Sequence, residues 1–316
     1  TTEQLFVSAG TSLALDVLCG VLTNPGDLIL VEEPTYALAL QIFRDRGLRL
    51  RTVPVDADGL QVDRLEEMVR QETPRFLYTV PMHQNPSGVS LSPERKRRVV
   101  EIAADAGFVV LADEVYHLLT YDGELPESLG RYVDTGHVCV LGSFSKILAP
   151  GLRIGWIHAA RSLIEKLLRR GLLDSGGGLA PVTSSLLTPA LVDGHLQRHI
   201  TWLRQELTVR RNALLDGLGC AGGSTENAGG SNHLLQLVPP AGGYFLWAKL
   251  PDEGSSAALL PHARNHGVGY TPGSRFSADG NLDSWMRLSF SYYDPDVLAE
   301  AGRRLISTIR LTAHSR

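Results

Sequence analysis

At 316 residues, with 43% hydrophobic and 20% charged composition, the chain has enough apolar material for one large domain plus a smaller one. A formal net charge of −4 and no basic tail give no electrostatic reason to expect nucleic acid or an anionic membrane surface as a partner. The three cysteines, Cys19, Cys139 and Cys220, are widely spaced, which counts against a disulfide framework or zinc site; with no apolar run of ~18 residues and no secretory h-region, the expected location is the cytoplasm.

Leu5-Phe6-Val7 reads as a strand, and the small-residue turn Ser8-Ala9-Gly10-Thr11-Ser12 leads into an apolar helix over 13–22. Free N–H groups at such a helix start attract anions, although an ordinary strand-to-helix connection explains the turn equally well. Asn24-Pro25-Gly26-Asp27 is a turn before a short buried strand at 28–31, and Glu33-Pro34-Thr35-Tyr36 opens the next helix. By itself Tyr36 reads as a half-buried core aromatic. An edge strand and turn at 53–60 and an amphipathic helix at 62–72 follow.

The strand at 76–80 runs into Pro81-Met82-His83-Gln84-Asn85-Pro86-Ser87-Gly88. Asparagine before proline is a common turn device, yet this one stands where α/β sheets place ligand contacts. Ser92-Pro93-Glu94 starts a helix that runs to about 106, with a capping hydroxyl and proline at the first position. Its Arg95-Lys96-Arg97-Arg98 cluster is expected on a solvated face. Gly107 stops that helix, and a strand at 108–112 delivers Asp113-Glu114-Val115-Tyr116 at its C-terminal end. By themselves these two acids read as loop charges.

The most informative stretch is 138–157. An apolar run at 138–141 ends in a turn holding Ser143, Ser145 and Lys146, and a second apolar run follows Arg153. Lysine is rarely buried, so one at the mouth of an apolar α/β framework needs a partner or a chemical role. Two hydroxyls and a guanidinium nearby form an oxyanion cradle, and a phosphate beside an amine suggests a phosphorylated aldehyde held as a Schiff base. Asp113 precedes Lys146 by 33 positions, about one βαβ unit, so both fall at strand ends.

Further on, the pattern predicts an amphipathic helix at 161–173 and a flexible loop, Asp174-Ser175-Gly176-Gly177-Gly178, close to the site. Helices at 182–191 and 196–218 come next, the second placed at a domain boundary. Residues 220–232, rich in Gly, Ser and Asn, read as a mobile surface loop. Strands at 242–247, 268–270 and 286–291, a helix at 255–266 and a final helix from Pro295 complete the chain. There is no internal repeat. Arg287 alone reads as a strand arginine paired to a surface acid.

Ser143-Phe144-Ser145-Lys146 followed by Pro150-Gly151-Leu152-Arg153-Ile154-Gly155-Trp156 closely resembles the lysine motif of the class I/II aminotransferases, the fold-type I enzymes that use pyridoxal 5'-phosphate. Glu33-Pro34-Thr35-Tyr36, Asn85-Pro86-Ser87-Gly88 (serine in place of the family's threonine), Asp113 to Tyr116, Gly242-Gly243-Tyr244-Phe245 and Arg287-Leu288-Ser289-Phe290 spread the match over nearly the whole chain. The resemblance implies an α/β fold, with a large domain at 1–205 around a mostly parallel central sheet and a smaller C-terminal α+β domain at 206–316. It implies that Lys146 holds the cofactor and then acts as general base and acid. Gly10, Thr11, Ser12, Ser143, Ser145 and Arg153 would bind the phosphate, Tyr36 would stack on the ring, and Asp113 would pair with the pyridine nitrogen. Asn85 and Tyr116 would reach the phenolic oxygen. Arg287, with Asn85 beside it, would grip the α-carboxylate of an amino acid substrate, and no metal is called for.

The resemblance also implies a homodimer that exchanges amino groups between an α-amino acid and a 2-oxo acid. Family members usually carry several dozen further residues ahead of the position of Thr1, folding into the small domain and reaching across the dimer. No counterpart precedes Thr1 here, so the residues that choose the substrate side chain are not read. Two alternatives remain open on the motifs: another pyridoxal-phosphate reaction, such as β/γ-elimination, oxidation or condensation, and the ligand-sensing module of a transcription regulator.

Overall fold

Short runs of Leu, Ile and Val bounded by turn residues form strands buried on both faces, as a parallel sheet covered by helices requires. The computed structural model describes residues 1–176, 180–220, 234–251 and 254–313. Its first part carries strands β1 (Leu5–Ser8), β2 (Leu28–Glu33), β3 (Arg49–Asp56), β4 (Gly59–Leu60), β5 (Phe76–Thr79), β6 (Val109–Asp113), β7 (Val138–Ser143) and β8 (Gly155–Ala159). They form one sheet in the order β1-β8-β7-β6-β5-β2-β3-β4. The run β3-β2-β5-β6-β7 is parallel, whereas β8 is antiparallel to both β7 and β1.

Helices α1 (Thr11–Leu22), α2 (Ala37–Asp45), α3 (Val62–Gln71), α4 (Pro93–Ala106), α5 (Arg161–Leu168), α6 (Gly171–Asp174) and α7 (Pro181–Val192) accompany this sheet. The 23-residue α8 (His195–Gly217) then leads to a second sheet. That sheet is built from β9 (Gln236–Leu237), β10 (Phe245–Lys249), β11 (Thr271–Pro272) and β12 (Trp285–Ser289), in the order β11-β12-β10-β9. Helix α9 (Ser256–Asn265) packs against β11, and α10 (Pro295–Ala313) packs against α8 and α9. One apolar cluster runs from Phe6, Leu18 and Phe43 through Leu207 and Leu214 to Phe290 and Leu305; a second fills the far face of the large sheet around Leu65, Val99 and Phe108. No helix among the described residues is long and apolar enough to cross a membrane.

Several expectations shift. The helix expected at 161–173 is broken into α5 and α6, because Arg170 is extended and Gly171 is a poor helix former. The strand expected at 242–247 starts only at Phe245: Gly243 has φ 76°, and a Cβ at Gly242 would lie 2.3 Å from the Leu119 carbonyl oxygen, so the glycines form a close-packed turn. Likewise the strand expected at 268–270 falls instead at Thr271–Pro272, the residues that pair with Arg287 and Met286 of β12. Within the basic cluster on α4, Lys96 is not solvated: it is 4% exposed and its Nζ donates to the Glu127 carbonyl at 2.7 Å. Gly177, Gly178 and residues 221–232 of the two expected loops lie outside the described residues.

Candidate active site

Strand pairing brings the distant motifs to one edge of the large sheet. Ser8, at the end of β1, and Ser143, at the end of β7, both pair with Gly155 of β8, while Asp113 of β6 pairs with Leu141 of β7. The start of α1, the lysine turn and the Asp113 strand end therefore share one opening, where open α/β sheets bind ligands.

Gly10 caps α1 with φ 90°, and a Cβ there would come within 2.6 Å of Arg153 Nη2. Only glycine lets the Arg153 guanidinium lie against the free N–H groups at the start of the helix that Thr11 and Ser12 begin. Arg153 itself takes a left-handed conformation, φ 50°, which turns the chain from the lysine segment into β8. The Ser143 hydroxyl accepts from the Ser145 N–H at 3.0 Å and donates to the Ile154 carbonyl at 3.2 Å, so in this structure it shapes the turn.

Lys146 sits between two rings, its Nζ 5.9 Å from the centroid of Tyr116 and 5.7 Å from that of Tyr244. Burial lowers the pKa of its amine, opposed by the nearby Asp113 charge and assisted by Arg287 and Arg153. The Tyr244 hydroxyl donates to the Lys146 carbonyl at 2.5 Å. Tyr116 is 2% exposed, and burial raises its phenol well above the ordinary value.

Asp113 is 3% exposed. Its Oδ2 accepts from the Tyr78 hydroxyl at 2.8 Å, and its Oδ1 is buried without a partner. Burial pushes this carboxyl up to about 6, against the pull of Tyr78, the Val115 N–H and Lys146. Its neighbour Glu114 is fully engaged, with Oε2 accepting from Ser128 Oγ at 2.6 Å and Oε1 from the Leu129 N–H at 2.8 Å. Of the two acids, only Asp113 keeps an oxygen for a further partner. Tyr36 precedes α2, and its phenol is raised first by burial and then by the Asp113 charge.

On the far wall, Arg287 of β12 donates through Nη1 to Asn85 Oδ1 at 2.8 Å and through Nη2 to Thr271 Oγ1 at 3.5 Å. Its guanidinium lies 4.0 Å from the Phe245 ring centroid and 4.7 Å from that of Phe276, and its Nε has no partner. Burial lowers its pKa. Arg287 is thus not the surface-paired arginine of the simplest reading; it is a half-buried guanidinium with no carboxylate partner among the described residues. Nor do those residues include a group of three or more His, Cys, Asp or Glu able to hold a metal ion.

Among the residues singled out from the sequence, direct contacts join Gly10 to Arg153, Lys146 to Tyr116 and Asn85 to Arg287, and strand pairing sets Ser143 and Asp113 at neighbouring strand ends. Sequence reasoning missed Tyr78, Phe276 and the Glu32–Gln84 pair, and it gave no role to Tyr244 within the Gly242-Gly243-Tyr244-Phe245 motif. A tyrosine in the otherwise apolar strand β5 was the available signal for Tyr78, since a buried phenol needs a hydrogen-bond partner.

Fold and site together define a fold-type I α/β protein with a half-buried lysine just past the end of β7. The chain belongs to the family of class I and II aminotransferases, whose pattern matches residues 1–305. It is 34% identical over 314 residues to aromatic-amino-acid aminotransferase 1 of Thermococcus litoralis, spanning 97% of this chain and 72% of that protein. Identity to the 2-aminoadipate transaminase of Thermus thermophilus is 31%, over 96% of this chain and 74% of the relative. The crystal structure of Pyrococcus horikoshii kynurenine aminotransferase superposes with a TM-score of 0.88 at 34% identity, covering 98% of this chain and 75% of that one.

Proposed function

We propose that this chain moves amino groups between an α-amino acid and a 2-oxo acid, with pyridoxal 5'-phosphate carried on Lys146. The observation that carries the reading is the unpartnered, buried Asp113 Oδ1 on the strand beside the one that presents Lys146. An orphaned carboxylate oxygen is costly unless a ligand meets it, and a protonated pyridine nitrogen does so. The cofactor's phosphate suits the Arg153 guanidinium held against the start of α1, and its ring suits the space between Tyr36 and the strand ends.

When bound, the cofactor supplies an electron sink for negative charge at the substrate Cα. The remaining work belongs to side chains. Asp113 holds its charge against the ring nitrogen, and Tyr78 keeps it aimed. The Lys146 amine, its pKa lowered by burial, takes the proton from Cα and returns it. Tyr116 and Tyr244 flank that amine and keep water from it. Arg287 offers its fork to the substrate α-carboxylate, with Asn85 fixing one nitrogen and two phenyl rings fixing its plane.

The division into lobes at 1–205 and 206–316, within α8, belongs to the same proposal. So does a homodimer, which is supported by the family and by the 74%, 68% and 77% exposure of Val182, Leu186 and Val192 along α7, a helix with an apolar face to cover. Sedimentation of the full chain tests it; a fully active monomer at micromolar concentration refutes it.

The reaction is tested by screening amino acids for conversion of the bound cofactor to its amine form with release of a 2-oxo acid. Ammonia with peroxide identifies an oxidase, pyruvate with ammonia but no peroxide a lyase, and cofactor binding without turnover a ligand-sensing module. Borohydride reduction should trap the cofactor on Lys146, and Lys146→Ala should abolish the label while preserving the fold.

A further inference from the structure

The end of β2 carries a buried acid that the chemistry above does not use. Glu32 is 2% exposed, and its carboxylate accepts from Thr79 Oγ1 at 2.5 Å, from the Val80 N–H at 3.0 Å and from Gln84 Nε2 at 2.9 Å. The same Gln84 nitrogen donates to the Pro34 carbonyl at 2.7 Å, and Gln84 Oε1 accepts from the Ser87 N–H at 3.1 Å and from the Ser87 hydroxyl. Gln84 therefore ties the turn that carries Tyr36 to the turn that carries Asn85.

The next residue extends this clamp. Glu33 accepts from the Ser277 hydroxyl and, at 3.2 Å, from the Ala278 N–H, while the Thr35 N–H donates to the Phe276 carbonyl at 2.9 Å. Phe276 is one of the rings beneath Arg287. The Glu32–Tyr36 segment is thus tied through Gln84 to the turn that carries Asn85 and directly to the Phe276 backbone, the two supports of that guanidinium.

Burial pushes the Glu32 carboxyl up to about 7, with the Asp113 charge adding to the effect. Desolvating a carboxylate is expensive, and a well-packed apolar residue often serves stability as well or better. Stability alone therefore does not account for an acid here. What only an acceptor of three hydrogen bonds supplies is a fixed place for Gln84.

We propose that Glu32 is a positioning residue for substrate: through Gln84 it sets the Asn85 carboxamide against Arg287, and so sets the orientation of the fork that receives the α-carboxylate. The inference rests on the transamination reading above. Glu32→Gln tests it, because the isosteric amide turns one acceptor oxygen into a donor facing donors. In the full-length chain loaded with pyridoxal phosphate, two dissociation constants are measured by absorbance titration and calorimetry. One is for the amino acid that the wild type converts, the other for its deaminated carboxylic acid, which binds without reacting.

Both constants should rise about tenfold in Glu32→Gln, the size of effect that a disrupted buried hydrogen-bond network produces, with cofactor retention unchanged. In an Asn85→Ala background the same substitution should change them by less than about twofold, because its target is gone. Gln84→Met breaks the relay with Glu32 in place; it should reproduce the tenfold rise and decides the matter if Glu32→Gln does not fold. A rise of equal size in the Asn85→Ala background, or a lower melting temperature with unchanged constants, overturns the proposal. A wild-type chain that borohydride does not label at Lys146 removes the transamination reading and this inference with it, whereas a labelled chain with additive effects removes only the role of Glu32.

Discussion

Asn85 Oδ1 accepts a hydrogen bond from Arg287 Nη1 at 2.8 Å, joining residues 202 positions apart. The bond spends the oxygen end of the carboxamide on the arginine and leaves the NH2 end for a second partner. One residue thus links the wall that would hold the cofactor to the wall that would hold the substrate. In the proposed site the α-carboxylate and the ring would meet at this shared contact, while the phosphate contacts at Arg153 and the start of α1 would hold the cofactor independently of it.

Asp113 should be the electronic partner of the ring. Asp113→Asn keeps the shape and the contact with Tyr78 but removes the charge that holds a pyridine nitrogen protonated. Turnover should fall by about a hundredfold or more, in line with the loss of one preorganised electrostatic contact at a reacting centre, with cofactor still bound. Single-turnover rates with the preferred amino acid measure this. Nearly normal turnover would make Asp113 a structural acid of the same kind as Glu114.

Tyr244 should matter through its hydroxyl as well as its ring. Tyr244→Phe preserves the aromatic contact with Lys146 but leaves the Lys146 carbonyl without the 2.5 Å donor that crosses from the C-terminal sheet. Stability should drop by about 0.5–1.5 kcal/mol, the net worth of one neutral hydrogen bond. The rate of Cα proton transfer should fall roughly threefold to tenfold as the lysine backbone loosens, since about 1.4 kcal/mol of misplacement is a factor of ten. Urea unfolding and a substrate deuterium isotope effect report the two separately; no change in either would leave the contact without a role.

Much of this site was legible in the sequence because its residues sit where local rules are strongest. Gly10, Lys146 and Asp113 each end a short apolar run, and a run of that kind declares a buried strand whatever the rest of the chain does. The resemblance then supplied roles that no periodicity could. What could not be read was everything decided by long-range packing. Lys96 belongs to a run of four basic residues and was expected in solvent, but the helical period turns it inward to the Glu127 carbonyl. Glu32 and Gln84 are ordinary polar residues in sequence, and their pairing exists only because β2 and β5 are neighbours in the sheet. Tyr78 likewise finds Asp113 only through the pairing of β5 with β6.

The packing of α8 on α10 offers a test of stability away from the chemistry. A Cβ at Gly217 would lie 2.1 Å from the Ala299 carbonyl oxygen, and one at Gly302 would lie 2.7 Å from the Gly217 carbonyl carbon, so the helices meet backbone to backbone. Gly217→Ala gains a little helix propensity, at most about 1 kcal/mol and less at a helix end. It also forces rigid backbone apart, which costs about 1–3 kcal/mol. The second effect should win, lowering the urea midpoint while activity per folded molecule is unchanged. A variant as stable as the wild type would show that the two helices can slide.

Arg287 should read the substrate α-carboxylate. Its guanidinium is clamped between two phenyl rings and the Asn85 oxygen, and its Nε is buried without a partner, which is the arrangement expected of a planar fork waiting for a carboxylate. Lysine at this position keeps the charge but cannot offer two parallel donors or stack in the same plane. Arg287→Lys should therefore weaken amino acid binding by about 1.5–3 kcal/mol, the range for hydrogen bonds to charged groups. Cofactor affinity should hardly change, because the phosphate contacts proposed for Arg153 and the start of α1 do not involve Arg287. Titrating wild type and variant with the amino acid and with the corresponding amine that lacks the carboxylate separates the possibilities. Only the amino acid should lose affinity; equal losses for both ligands, or loss of the cofactor itself, would show that Arg287 holds the wall of the site together and does not bind substrate.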